Sequence, residues 1–189
     1  MAMVPEELAP RLPELRLPGP HHSVGDRLEE VAGALGDAVA LESAGRSLTY
    51  RTLAEQVRAL AGELTAETST APVGVFAEQS VDSVVAMLGV MAAGRPCVVL
   101  DVRLPKARLV QVATRAGISV VLADDVRRDS SAFAGVCPVR SLLPGGPDVP
   151  AGPLPAVTLD DAATIATPQG APGSKRAWCA GTPRCCRPP

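Results

Sequence analysis

Apolar positions along the chain alternate between a helical rhythm and short unbroken runs. Ser23 is placed to cap a first helix in which Leu28, Val31 and Leu35 recur at helical spacing, and Gly36 ends it. A short strand is predicted over Ala38–Leu41. Leu48 and Tyr50 then lead into a segment where Leu53, Val57, Leu60 and Leu64 form one stripe, leaving Arg51, Glu55 and Arg58 for solvent, the signature of an amphipathic helix. Val73–Ala77 is a continuous apolar run between Pro72 and Glu78, as expected of a strand covered on both faces. Ser80 caps the next helix, in which Val84, Met87, Leu88 and Met91 share a face, with Gly94 as its stop. Cys97–Leu100 reads as a buried strand. Pro105 opens a helix with Leu109, Val112 and Ala113 inward and Gly117 at its end, and Ile118–Ala123 and Asp160–Ala166 read as further strands.

Buried strands alternating with helices of about ten residues are the pattern of a parallel sheet with crossovers of right-handed sense. The expected class is α/β: a partial doubly wound, mostly parallel sheet with helices on both faces. Residues 1–22 hold five prolines and no sustained period, so they are expected to be a disordered leader before an ordered body over 23–143. Residues 144–156, PGGPDVPAGPLPA, read as a Pro/Gly linker, 157–167 as a strand segment, and 168–189 as a separate tail. A chain of 189 residues is long enough for one domain with a real core.

Charge and composition narrow the function. A formal net charge of −2 and an aromatic content of 2% supply neither a basic surface nor stacking platforms, which excludes nucleic acid as a partner. No apolar run reaches the length of a membrane helix, and the N-terminus has neither a basic start nor an apolar core of the signal-peptide type, so a cytoplasmic protein is expected. Cys97 and Cys137 lie in apolar runs where a thiol acts as a small hydrophobe, and Cys179, Cys185 and Cys186 crowd the end without a partner histidine. The pair His21–His22 has no acid or cysteine at ligand spacing, so no metal site is assigned to it.

Two segments carry a resemblance. LTYRTL at Leu48–Leu53 resembles the L-[TS]-Y-x-E-L element of the adenylate-forming superfamily, which contains acyl-CoA synthetases, luciferases and the amino-acid-activating domains of nonribosomal peptide synthetases; Thr52 stands where Glu is usual. MLGVMAAGRPCVVLDVRLPKARL at Met87–Leu109 is similar to K-A-G-x-A-Y-V-P-L-D-P-x-x-P-x-x-R-[LI], with Ala93, Gly94, Leu100, Asp101, Pro105 and Arg108 in register. Val99 and Val102 replace its prolines and Cys97 its aromatic. The resemblance runs from about Ser23 to Ala166 and implies the N-terminal part of an adenylation domain. It also implies ATP and magnesium as cofactors of an intact member, a carboxylate or amino acid as substrate, and a carrier-protein or CoA thiol as acceptor. The family's ligand-touching residues come later than Ala166, so no catalytic, cofactor-binding or metal residue is assigned in this chain.

After the last strand the resemblance implies T-S-G-S-T-G-x-P-K-G-V, a loop whose glycines let the backbone approach a phosphate and whose hydroxyls add donors. The chain instead reads PQGAPGSKRAWCAGTPRCCRPP from Pro168 to Pro189, with no acid and no Leu, Ile or Val. Its codons read one nucleotide earlier permit T-S-G-S-T-G in the required register, then Lys or Gln, Gln, Lys, Gly and Val; the Trp178/Cys179 junction forces Val and the Cys185/Cys186 junction forces Leu. The tail is therefore expected to be an out-of-frame, disordered segment, and the chain a truncated, inactive fragment of a carboxylate-activating ligase. GAPGSKR at Gly170–Arg176 lacks the spacing of a P-loop. The alternative is a stand-alone, non-catalytic α/β binding or docking module.

Overall fold

A computed structural model describes residues 23–129, 131–144, 157, 164–166 and 178–180. The expected leader with His21–His22, all but one residue of the linker and most of the tail lie outside them.

Helix α1 (Val24–Leu35) starts on Ser23, whose hydroxyl accepts from the Asp26 N–H at 3.1 Å while Asp26 accepts from the Ser23 N–H at 3.0 Å, a reciprocal cap. Strands β1 (Val39–Ser43) and β2 (Arg46–Thr49) form an antiparallel hairpin around Ala44 and Gly45, both at positive φ. Only its first strand is legible as such; Leu48 belongs to β2, and α2 (Tyr50–Ala66) begins after Thr49. In α2 the stripe Leu53, Val57, Leu60 and Leu64 is buried as its spacing predicts, each side chain contributing about 1.5–3 kcal/mol of burial free energy.

The main sheet is built from β3 (Val73–Phe76), β4 (Cys97–Val99), β5 (Val120–Ala123), β6 (Val139–Ser141), β7 (Thr164–Ala166) and β8 (Trp178–Ala180), in the order β6-β5-β3-β4-β7-β8. The first five strands are parallel; β8 runs antiparallel to β7 at the edge. Helix α3 (Val81–Ala92) connects β3 to β4, α4 (Lys106–Ala116) connects β4 to β5, and a short helix α5 (Asp125–Arg128) with a 3-10 turn at Ser131–Phe133 leads to β6. Alternation along the strands separates two cores. Val73, Val75, Cys97, Val120 and Leu122 pack with α2 and α3 on one face; Phe76, Val98, Leu100, Val121 and Ala123 pack with α4 and Phe133 on the other. The chain is thus an α/β fold with a parallel sheet covered on both sides.

In helix α3 the shared stripe is not the most buried face, although Met87, Leu88 and Met91 pack against the core. Helix α3 is apolar almost all round, so period alone does not select a stripe. Val81, Val85, Ala86, Gly89 and Val90 are buried, whereas Val84, Met87, Leu88 and Met91 are half-buried. The small residues decide it: a Cβ on Gly89 would lie 2.7 Å from Leu60 Cδ2, so this is where α2 comes closest. The tail also departs from expectation at three residues. Trp178–Ala180 form β8 rather than disordered chain, because β7 otherwise presents an open sheet edge and any short segment of fair strand propensity can pair with it.

Candidate functional site

In an open α/β sheet, ligands are received outside the carboxyl ends of the strands, at the point where successive connections leave on opposite faces. Here that point lies between β3 and β5. The chain leaves β3 for α3 on one face and leaves β5 for α5 and Phe133 on the other. The residues beyond those ends are Glu78 and Asp124, and both are held by one guanidinium. Arg127 Nη2 donates to Glu78 Oε1 at 2.7 Å and Nη1 to Asp124 Oδ2 at 2.5 Å, while Asp124 Oδ1 accepts the Arg127 N–H at 3.0 Å as the cap of α5. Beneath them Phe76 and Phe133 meet edge to face, ring centroids 5.3 Å apart, and both are buried. The strand ends are thus bridged by an ion pair, and the two rings belong to the core on the α4 face.

The remaining groups at this edge are also engaged. Asp101, two residues past β4, accepts from the backbone N–H and the guanidinium of Arg103 at 2.9 and 3.0 Å and so shapes the turn into α4. Ser80 and Ser83 close a reciprocal cap on α3, and Asp82 in its first turn takes both contacts of Arg46 from the hairpin, at 2.5 and 2.6 Å. Among the described residues no group of three or more His, Cys, Asp or Glu side chains is placed to hold a metal ion. These residues therefore do not fit a magnesium–triphosphate: each carboxylate named above is tied to an arginine, and the starts of α3 and α5 are closed by side-chain caps, while α4 begins on Pro105 without one.

The motif residues lie at helix ends, in turns and in the core. Thr49 caps α2 and Thr52 is its third helical residue, so L-T-Y-x-E-L is the pattern of a capping box. With Thr52 in the glutamate's place only half of the box forms: Thr49 Oγ1 accepts the Thr52 N–H at 3.3 Å, and the two hydroxyls lie 3.2 Å apart. Gly94 follows the C-cap of α3 at φ 69°, Leu100 is buried, Pro105 is the N-cap of α4, and Arg108 lies exposed on that helix. Cys97 is buried in the core, and burial pushes its thiol up to about 12, which makes it inert rather than nucleophilic. Burial also raises the Cys137 thiol.

Arg95 is the residue that sequence reasoning missed. Only 2% exposed, it donates from Nε to Ala71 O at 2.9 Å, from Nη1 to Glu67 Oε2 at 3.0 Å and from Nη2 to Ser119 Oγ at 2.5 Å. It thereby fixes the end of α2 and the starts of β3, β4 and β5 relative to one another, at the sheet edge opposite the bridged strand ends. Following a glycine stop, it has the sequence look of a surface residue.

The AMP-binding enzyme family model matches residues 28–169. The chain belongs to the AMP-binding enzyme family. It is 31% identical over 130 residues to the D-alanine–D-alanyl carrier protein ligase of Bacillus velezensis, covering 66% of the chain and 26% of that enzyme. It is 34% identical over 120 residues to phosphinothricin tripeptide synthetase PhsC of Streptomyces viridochromogenes, covering 62% and 11%. Among solved structures, the N-terminal subdomain of NpsA from Klebsiella oxytoca superposes with a TM-score of 0.73 at 28% identity, over 85% of the chain and 43% of that structure. The chain thus spans about a quarter or less of the two enzymes and matches the N-terminal part of an adenylation fold. No helix among the described residues is long and apolar enough to cross a membrane.

Proposed function

We propose that this AMP-binding family chain is the N-terminal portion of an ATP-dependent ligase that converts an amino acid or related carboxylate to its adenylate and passes the acyl group to a carrier-protein thiol. The family match over residues 28–169, together with a parallel sheet whose carboxyl ends face one edge, carries this reading. The names of two relatives support an amino-acid substrate and a carrier acceptor over a free acid and CoA: one is a D-alanyl carrier protein ligase and the other a tripeptide synthetase. ATP as co-substrate is consistent with a cytoplasmic location.

The described residues contribute framework to that activity. Arg95 sets the strand starts, the arginine–carboxylate pairs shape the turns at the opposite edge, and β7 is delivered beside β4, with Thr164 level with Cys97. We further propose that the chain as written is inactive, since none of these groups is free to position a triphosphate or neutralise its charge.

Two measurements test the reading. The purified chain is expected to give no carboxylate-dependent exchange of pyrophosphate into ATP, and signal above background overturns the inactivity. The coding region expressed with the 3′ sequence that follows it and an intact frame is expected to catalyse exchange stimulated by one or a few amino acids. Absence of exchange across amino acids and aryl acids, from a folded product, overturns the ligase assignment.

A further inference from the structure

Arginines in this protein come with carboxylates, except on one helix. Among the described residues, every arginine outside α4 is ion-paired at 3.5 Å or closer. The pairing extends to the surface: Arg51, Arg103 and Arg128, with side chains 60, 85 and 48% exposed, each have a carboxylate partner. Arg108 and Arg115 have none. Arg108 donates from Nη1 to Gln111 Oε1 of its own helix, and from Val102 to Ala123 the chain contains no Asp or Glu.

The two arginines share one face. Leu109, Val112 and Ala113 turn into the core, which leaves Arg108, Gln111, Thr114 and Arg115 along the outer side of α4. Arg108 and Arg115 are two turns apart, so their positions lie about 10 Å from one another along the helix axis. The fold itself does not ask for both. Arg115, in the last turn, complements the helix dipole, whereas Arg108 lies in the first turn, where a cation opposes it, and Pro105 supplies no side-chain cap there.

We propose that the outer face of α4, through Arg108 and Arg115, is a docking surface for an acidic protein partner, and that this partner is the carrier protein to which the acyl group passes. The inference rests on the ligase reading for the identity of the partner; the surface itself rests on the pairing pattern. The carrier's docking face is expected to present carboxylates about 10 Å apart, matching the two guanidinium groups.

Position and charge both favour this occupant. Helix α4 leaves the carboxyl end of β4, so a partner seated on it stands beside the edge of the sheet that receives ligands in open α/β folds. The opposite layer repels the same partner: helices α1, α2 and α3 carry six carboxylates against three arginines, whereas α4 carries Lys106, Arg108 and Arg115 and no acid. An acidic surface is therefore steered to the α4 side. A nucleic acid is a poorer match, because its binding draws on roughly 6–10 phosphate contacts and the chain has a net charge of −2.

The test titrates the full chain with the carrier domain encoded in or beside its gene, at low salt and at physiological ionic strength. Arg108→Gln/Arg115→Gln is expected to weaken binding about tenfold at low salt, with a smaller difference as salt rises. Arg108→Lys/Arg115→Lys is expected to keep most of the affinity. Arg51→Gln/Arg128→Gln removes two exposed but paired arginines and is expected to leave it unchanged. Unaltered circular dichroism and urea midpoints show that the variants stay folded. Equal binding by parent and the α4 double glutamine variant, or no binding by the parent, overturns the docking surface. So does binding of duplex DNA or of phosphatidylglycerol vesicles that depends on these two arginines when carrier binding does not. Pyrophosphate exchange by the in-frame product judges the ligase reading separately: exchange together with carrier binding indifferent to α4 overturns the docking surface alone.

Discussion

Arg95 and Glu67 meet at 3.0 Å in the structure, the guanidinium almost wholly buried and the carboxylate at the C-cap of α2. A glutamate there opposes the helix dipole, and it is tolerated because Arg95 and Arg140 both bind it. Removing Arg95 would leave the Ala71 carbonyl and the Ser119 hydroxyl without its donors. Arg95→Met is therefore expected to destabilise the chain by about 3 kcal/mol in urea unfolding. Arg95→Lys is expected to recover little, since one ammonium on a flexible stem does not reach three acceptors arranged around a planar fork. By contrast Arg103→Ala, which removes an 85% exposed side chain, is expected to change stability by less than about 0.5 kcal/mol. Equal losses in Arg95→Met and Arg103→Ala would refute the assignment of Arg95 as the staple of the strand starts.

The half-formed cap at Thr49 yields a gain-of-stability prediction. Thr52→Glu restores the acceptor that reaches back to the Thr49 N–H, and it places a negative charge in the first turn of α2, where the existing cap already holds the Thr52 N–H at 3.3 Å. The expected increase is about 0.5–1 kcal/mol, read as a higher urea midpoint at unchanged slope. A decrease would mean that the Thr49–Thr52 hydroxyl contact is worth more than the box.

Much of this architecture was legible because the signals were redundant. In α2 the stripe at Leu53, Val57, Leu60 and Leu64 agrees with polar residues on the other face, and in β3 and β5 short apolar runs are bounded by proline, glycine and acids. Where a single signal stood alone it was not enough. Helix α3 is apolar on every side, so its buried face was set by the fit of Gly89 to Leu60, a relationship between two elements that no local period contains. Strand β6 is three residues at the margin of the sheet beside Pro138, too short for alternation to show. The candidate site was legible only in outline. The motif around Asp101 gives the family, but the pairing of Glu78 and Asp124 through Arg127 joins residues 49 and 3 positions apart and depends on β3 and β5 being neighbours.

Two glycines separate backbone need from backbone cost. Gly94 ends α3 at φ 69°, and its N–H donates to Met91 O at 3.0 Å. Gly94→Ala is expected to cost about 1 kcal/mol because an L side chain is strained in the left-handed region. Gly33 lies inside α1 with nothing within 4 Å of the place a Cβ would take. Gly33→Ala is expected to stabilise by about 0.5–1 kcal/mol through helix propensity and a less flexible unfolded chain. The two shifts in denaturation midpoint should have opposite signs, and a common sign would refute the contrast between a left-handed Gly94 and a helical Gly33.

Cys97 gives stability a dependence on alkaline pH. Burial raises its folded-state value from 9.0 to about 12, so the native chain keeps the thiol protonated over a range in which the unfolded chain ionises it. Between those values the unfolded state binds fewer protons than the native state, and the sign of the linkage relation makes stability fall as pH rises. The contribution is fully present below about pH 9 and is progressively lost toward about pH 12. Other groups titrate in this window, so the decisive comparison is with Cys97→Ala, which is expected to lie below the parent at pH 8 because of the atoms lost from the core, and to converge on it by pH 11. The same burial predicts that Cys97 in the folded chain is modified by iodoacetamide far more slowly than half-buried Cys137, measured by peptide mass spectrometry. Parallel stability curves for parent and variant from pH 8 to 11, or equal labelling of the two cysteines, would show that the β4 thiol is open to solvent and that the core around it is looser than described.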